Sequence, residues 1–236
     1  MMLERVVVTG YSATALDVGG VIYYDEPFEL AWLQGTFERL CATDQGMTLG
    51  TFAEQVERHY SGDEILARSE EAAESWIRVR GAWGELAQEI PGAVRAVARL
   101  SREMRTVIVA NQPPECAGVL SAWGVSAACE AVFLDSLVGV AKPDPALLGM
   151  ALDHLGVPPA DLLMVGNRVD HDVLPALGLG CAVAFVMEDS GYRRPFGVHP
   201  DLERAYRAIR SSRPVPTEGE RITITASLAE LSTGSY

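Results

Sequence analysis

Leu162-Leu163-Met164-Val165-Gly166-Asn167-Arg168-Val169-Asp170-His171-Asp172 decides how this chain is expected to fold. Its first four residues are apolar without alternation, which is how a parallel strand covered on both faces reads. The run stops at a glycine, and an amide and two carboxylates follow at once. In an open parallel α/β sheet, ligands bind beyond the carboxyl ends of the strands, where these polar residues would lie. Helix N-capping would account for Asp170 or Asp172 singly but not for the whole set. Oxygen donors of this kind suit magnesium better than zinc.

Similar apolar runs lie on either side: Thr106–Ala110 and Ala131–Leu134 before it, Ala182–Val186 and Ile222–Ile224 after it. The first two stop at Asn111 and Asp135. Between the runs, Leu148, Ala151, Leu152 and Leu155 follow helical spacing, and Gly156 with Pro158 stops the helix. This alternation predicts βαβ units in an α/β, doubly wound parallel sheet. Tyr24 to Glu89 breaks the pattern. It holds no convincing strand, and Leu30, Leu33, Phe37 and Leu40 form a helical stripe, so we read it as a helical insert. Arg193 to Glu220 reads as a long surface connection around a short helix near Leu202 to Ile209.

Three further strand ends carry polar residues. In Ala15-Leu16-Asp17-Val18-Gly19-Gly20, a carboxylate precedes two glycines, either as a turn residue or where backbone can approach a ligand closely. The others are Val109-Ala110-Asn111-Gln112 and Val140-Ala141-Lys142-Pro143-Asp144-Pro145. Taken alone, Lys142 reads equally as surface charge.

The order Asp, Asn, Lys-Pro, Gly-Asn-x-x-x-x-Asp resembles the haloacid dehalogenase (HAD) superfamily of aspartate-nucleophile hydrolases, in the subgroup with a helical cap inserted after the first motif. The resemblance runs over nearly the whole chain. It implies a Rossmann-like core of residues 1–23 and 90–236 and a cap of residues 24–89. It also implies that Asp17 is the nucleophile and a magnesium ligand, and that Gly19 lends its carbonyl to the metal. Ala110 and Asn111 would face the phosphoryl group, Lys142 would neutralise charge between nucleophile and phosphoryl oxygens, and Asn167 and Asp172 would complete the metal shell. Two anions must meet in such a reaction, and a divalent cation with a lysine makes that possible.

Three positions depart from the family pattern. Gly19 stands where phosphatases of the family usually carry a second Asp that acts as general acid and base, help typically worth ~10²–10⁴-fold. Ala110 replaces a Ser or Thr and removes a hydroxyl donor. Asn167 replaces an Asp and removes a negative charge from the metal shell, so magnesium is expected to bind weakly. Three functions remain: a specialised or weakened magnesium-dependent phosphatase forming an aspartyl-phosphate on a small phosphorylated metabolite, a non-hydrolytic ligand- or partner-binding protein, and a metal-independent carbon–halogen hydrolase. Asp170, Asp172 and Lys142 together speak against the last.

Composition narrows the setting. With 48% apolar residues in 236, the chain can bury a large core. Nineteen basic against 32 acidic residues give a net charge of −13, which argues against a nucleic-acid or anionic membrane partner. Val6-Val7-Val8 is too short for a membrane span or a secretory core. Cys41, Cys116, Cys129 and Cys181 show no C-x-x-C and read as free thiols in a reducing cytoplasm. The expected partner is a small molecule; oligomeric state is not legible.

Overall fold

In the computed structural model, which describes residues 6–63, 65–187 and 189–233, the strand Ala13–Leu16 has no exposed residue. The strands are β1 (Val6–Val7), β2 (Ala13–Leu16), β3 (Arg105–Ala110), β4 (Ala131–Leu134), β5 (Leu162–Gly166), β6 (Ala182–Val186), β7 (Ile222–Thr225) and β8 (Leu231–Ser232). Six of them form a parallel sheet in the order β4-β3-β2-β5-β6-β7. The chain runs outward from β2 to β4, returns to β5 beside β2, and then runs outward the other way. The order therefore reverses between β2 and β5, and a parallel sheet opens a crevice at its carboxyl end at such a reversal.

Successive residues of a strand point to opposite faces, so alternate positions share one core. Ala13, Ala15, Val107, Val109, Leu162, Met164, Val183 and Phe185 pack on one side against Leu147, Leu148, Ala151, Leu152 and Leu155 of the helix Pro145–Leu155. Asp144 caps that helix by accepting a hydrogen bond from the Ala146 amide at 2.9 Å, and Gly156 ends it. Truncating Leu148 to alanine would cost ~2–5 kcal/mol, as for other buried leucines. Where the sheet continues, Thr14 is buried but satisfied, its hydroxyl donating to the Leu163 carbonyl at 3.0 Å. β1 and β8 form a separate parallel pair, Val6 opposite Leu231. Two-residue strands carry no periodicity, so the sequence offers no signal for them.

Two compact units divide the chain. One holds the described residues up to Tyr24, Glu89–Gly191, and those from Pro214 onward; the other holds Asp25–Gln88 and Tyr192–Arg213. The second unit is helical, with helices Glu26–Thr43, Leu49–Arg58, Glu70–Gly81, Trp83–Leu86 and Pro200–Ser211. Helices 26–43 and 70–81 approach closely because Gly35 has no side chain: a Cβ there would lie 2.4 Å from the Ser75 hydroxyl. That hydroxyl donates to the Trp32 carbonyl at 2.8 Å, and the Trp32 indole donates to the Ala72 carbonyl at 2.9 Å. The helix Pro200–Ser211, assigned above to a surface connection of the α/β part, groups with the insert instead. It buries Leu202, Tyr206 and Arg210, and the Tyr206 ring meets Tyr60 edge-on at 5.5 Å. A buried stripe at helical spacing shows that a helix packs, but not against what.

Candidate active site

Four strand ends of the first unit supply the site. Asp17 follows β2, and its backbone amide donates to Val165 of β5 at 2.8 Å, which joins the two strands across the reversal. Asn111 follows β3, Asp135 follows β4 and Asn167 follows β5. Lys142 enters from the connection between β4 and the helix Pro145–Leu155, just before a cis Lys142–Pro143 peptide.

Lys142 is the centre of the arrangement. Its Nζ lies 2.9 Å from Asp17 Oδ1 and 2.6 Å from Asp172 Oδ1, and all three side chains are buried. Burial pulls the ammonium down, but the two carboxylates outweigh it and push its pKa up to about 12, so it stays charged. Burial also dominates at Asp17 and pushes its carboxyl up to about 7. The Lys142 charge opposes that rise, and the neighbouring Asp172 adds to it. Asp17 is thus held, largely out of solvent, against a buried cation.

Asp172, a metal ligand by resemblance, is engaged elsewhere. Oδ1 takes the Lys142 ammonium, and Oδ2 accepts from the backbone amides of Asn167 and Arg168 at 3.1 and 2.9 Å. A carboxylate with three protein donors is an anchor for Lys142 and for the loop after β5. Gly166 makes this possible, since a Cβ there would sit 2.3 Å from Asp172 Cγ. Asp170 does not join the set either: it pairs with the Arg168 guanidinium at 2.6 Å and with His171 at 2.9 Å, and these partners overcome burial to lower its pKa to about 2.

Asn111 also differs from its expected use. Its Nδ2 donates to the Lys142 carbonyl at 2.7 Å, and its Oδ1 accepts from the Lys142 amide at 2.8 Å. Both ends of the side chain therefore clamp the lysine main chain and are not aimed at a phosphoryl group. Ala110 is wholly buried and offers only a methyl.

The sequence gives little notice of Asp135, Ser136 and Tyr23. Asp135 accepts from the Gln112 amide at 2.7 Å, the Ser136 hydroxyl donates to the Gln112 carbonyl at 2.6 Å, and the Tyr23 hydroxyl donates to Gln112 Oε1 at 2.6 Å. One signal was available. Leu134-Asp135-Ser136 is a fifth place where an apolar run ends in a carboxylate.

Whether magnesium suits this pocket turns on the donors left over. Among the described residues, no group of three His, Cys, Asp or Glu side chains is placed to hold a metal ion. What remains is the second oxygen of Asp17, the Gly19 carbonyl and the Asn167 amide. Asn167 Nδ2 is buried without a partner against Gly20, whose φ of +70° and missing Cβ leave room: a Cβ would come within 1.9 Å. Asn167 Oδ1 lies farther from that position, at 3.5 Å. One carboxylate and two neutral oxygens fit a magnesium ion that keeps several waters and draws further oxygens from a substrate phosphate.

A family model described as a hydrolase, haloacid dehalogenase-like hydrolase, matches residues 11–180. Glyceraldehyde 3-phosphate phosphatase of Pyrococcus furiosus is 30% identical over 122 residues, which is 51% of this chain and 48% of that protein. The match thus spans about half the length of that curated relative. A solved HAD phosphatase from Thermococcus onnurineus superposes with a TM-score of 0.59 at 20% identity, covering 86% of this chain and all of that one. L-2-haloacid dehalogenase of Xanthobacter autotrophicus, solved with chloropropionic acid covalently bound, gives a TM-score of 0.56 at 17% identity over 94% of this chain and 96% of its own. At these identities the two structures speak for the fold alone. No described helix is long and apolar enough to cross a membrane.

Proposed function

The chain belongs to the haloacid dehalogenase-like hydrolase family, and from that premise we propose that it is a phosphatase of small phosphorylated metabolites working through a phosphoryl group on Asp17. The buried Asp17–Lys142 pair at the strand reversal carries this reading. The phosphoryl class rests on the relative that bears a phosphatase name. The four free thiols accord with a reducing, cytoplasmic setting.

A carboxylate oxygen of Asp17 attacks phosphorus, the bond from phosphorus to the leaving oxygen breaks, and the ammonium of Lys142 faces the charge that gathers on the phosphoryl oxygens. Water then attacks the aspartyl-phosphate, releasing inorganic phosphate and restoring the carboxylate. Magnesium held by Asp17, the Gly19 carbonyl and Asn167 would supply further charge neutralisation at the phosphoryl oxygens. Gly19 cannot protonate the leaving oxygen or take a proton from water, so leaving groups that need no proton are favoured and the second step is slow.

Rapid mixing with an aryl or acyl phosphate and magnesium should give a stoichiometric burst followed by slow turnover, with mass spectrometry placing phosphate on Asp17. Gly19→Asp should raise steady-state turnover by ~10²-fold or more, and Asp17→Asn should abolish the burst. Absence of burst, adduct and rescue would leave a ligand-binding protein. A second reading, metal-independent carbon–halogen hydrolysis, is favoured by one observation: Asp172 is spent on Lys142 and backbone amides, leaving a single carboxylate for a metal. Chloride release from a 2-haloacid in the presence of EDTA would select it.

A further inference from the structure

Gln112 is fixed more tightly than any role given to it so far requires. Its backbone amide donates to Asp135 Oδ1 at 2.7 Å, and its carbonyl accepts from the Ser136 hydroxyl at 2.6 Å. Its side-chain oxygen accepts from the Tyr23 hydroxyl at 2.6 Å, and that ring is wholly buried. Tyr23 belongs to the nucleophile loop: its amide donates to the Val18 carbonyl at 3.2 Å, and its carbonyl accepts from Gly20 at 2.7 Å. The Gln112 carboxamide is therefore tied to the turn that carries Asp17, and the preceding residue, Asn111, clamps Lys142. Tyr23 uses the amide oxygen, and among the described residues no partner takes the amide nitrogen of this half-buried side chain. An amide whose acceptor is spent presents only N–H donors, and a group limited to donating selects an acceptor.

We propose that Gln112 Nε2 donates to a phosphoryl oxygen of the substrate, in place of the hydroxyl that Ala110 lacks, with Tyr23 as the positioning residue that stops the amide from turning over. The proposal rests on the phosphatase reading and names a donor within that same site. Three fixed contacts on one residue hold the donor in place before substrate arrives, so binding does not have to order it.

Orthophosphate serves as the probe, titrated calorimetrically in magnesium-containing buffer. Gln112→Met keeps the side-chain volume and removes the donor, and should weaken phosphate by about ten- to a hundredfold, the worth of one hydrogen bond to a charged group. Gln112→Glu should weaken it further by placing a carboxylate against the anion. Tyr23→Phe should weaken it less, and its effect should vanish in the Gln112→Met background, a coupling that simple loss of packing would not produce. Phosphate binding within twofold of wild type in a folded Gln112→Met protein overturns the proposal, as does additivity of the two substitutions. If that variant also forms the Asp17 adduct from acetyl phosphate at the wild-type rate, the phosphatase reading survives without this donor. If the wild-type protein neither binds phosphate nor forms the adduct, both readings fall. Should Gln112→Met not fold, Gln112→Glu carries the test, and undiminished phosphate binding there refutes the proposal equally.

Discussion

Replacing Asp172 by asparagine separates an anchoring carboxylate from a metal ligand. In the native site one carboxylate oxygen faces an ammonium at 2.6 Å and the other faces two backbone amides at 3.1 and 2.9 Å, with the side chain fully buried. Asparagine keeps one acceptor. If its oxygen serves the two amides, its NH₂ group is driven against the Lys142 ammonium, donor against donor. If it serves the lysine, two backbone amides are orphaned. Breaking a buried ion pair from one side costs about 3–5 kcal/mol. Asp17 still compensates Lys142 from the other side at 2.9 Å, so the lower end applies, ~3 kcal/mol. For a chain of 236 residues that corresponds to a fall in Tm of roughly 6–12 °C. The assay is thermal and urea denaturation of both proteins in EDTA, where no metal can contribute. A variant melting within about 2 °C of wild type without metal, yet losing magnesium affinity, would refute the reasoning and return Asp172 to the metal shell.

Asn167→Asp restores a carboxylate where an amide now lies beside Gly20, and should tighten magnesium by about tenfold or more, since affinity follows ligand charge; calorimetry showing no change would place residue 167 outside the shell. Gly20→Ala forces a side chain into a φ of +70° and to within 1.9 Å of Asn167, and should cost about 2–6 kcal/mol in urea denaturation; wild-type stability would mean that the turn and Asn167 rearrange freely. In the helical unit, burial raises the Glu29 carboxyl above its ordinary value even though the Tyr60 hydroxyl donates to it. An acid whose pKa is raised by folding favours the native state fully below its unfolded value of 4.5 and loses that contribution as pH rises through the folded value. Wild type should therefore lose stability relative to Glu29→Gln as pH climbs above 4.5, and a difference that stays flat with pH would contradict this.

How far the sequence reached differs between backbone and side chains. All the strands of the six-stranded sheet after β2 lie where the apolar runs put them, within a residue at each end, because strands covered on both faces are built almost wholly of apolar and β-branched residues and so stand out as runs. The helix Pro145–Leu155 ends at Gly156 because a left-handed residue, φ +62°, terminates it. The helix Pro200–Ser211 was visible as a helix, but its membership of the insert's unit was not. Its buried stripe, Leu202, Tyr206 and Arg210, does not by itself name the surface it packs against.

At the site, the sequence by itself placed three polar residues near one another. Asp17, Asn111 and Asn167 each stand just beyond a strand, and parallel strands in register bring their ends together. Lys142 was placed by the order of motifs. Only the tertiary structure decided what each side chain touches. Asn111 and Lys142 are 31 residues apart and Tyr23 and Gln112 are 89 apart. Nothing local to either partner sets the rotamer that joins them. An asparagine at a strand end can reach a ligand, a loop carbonyl or water with nearly equal ease, and the choice falls to whichever polar group the rest of the fold leaves unsatisfied beside it. Here that group was the main chain of Lys142, and for Asp172 it was the Lys142 ammonium with two loop amides.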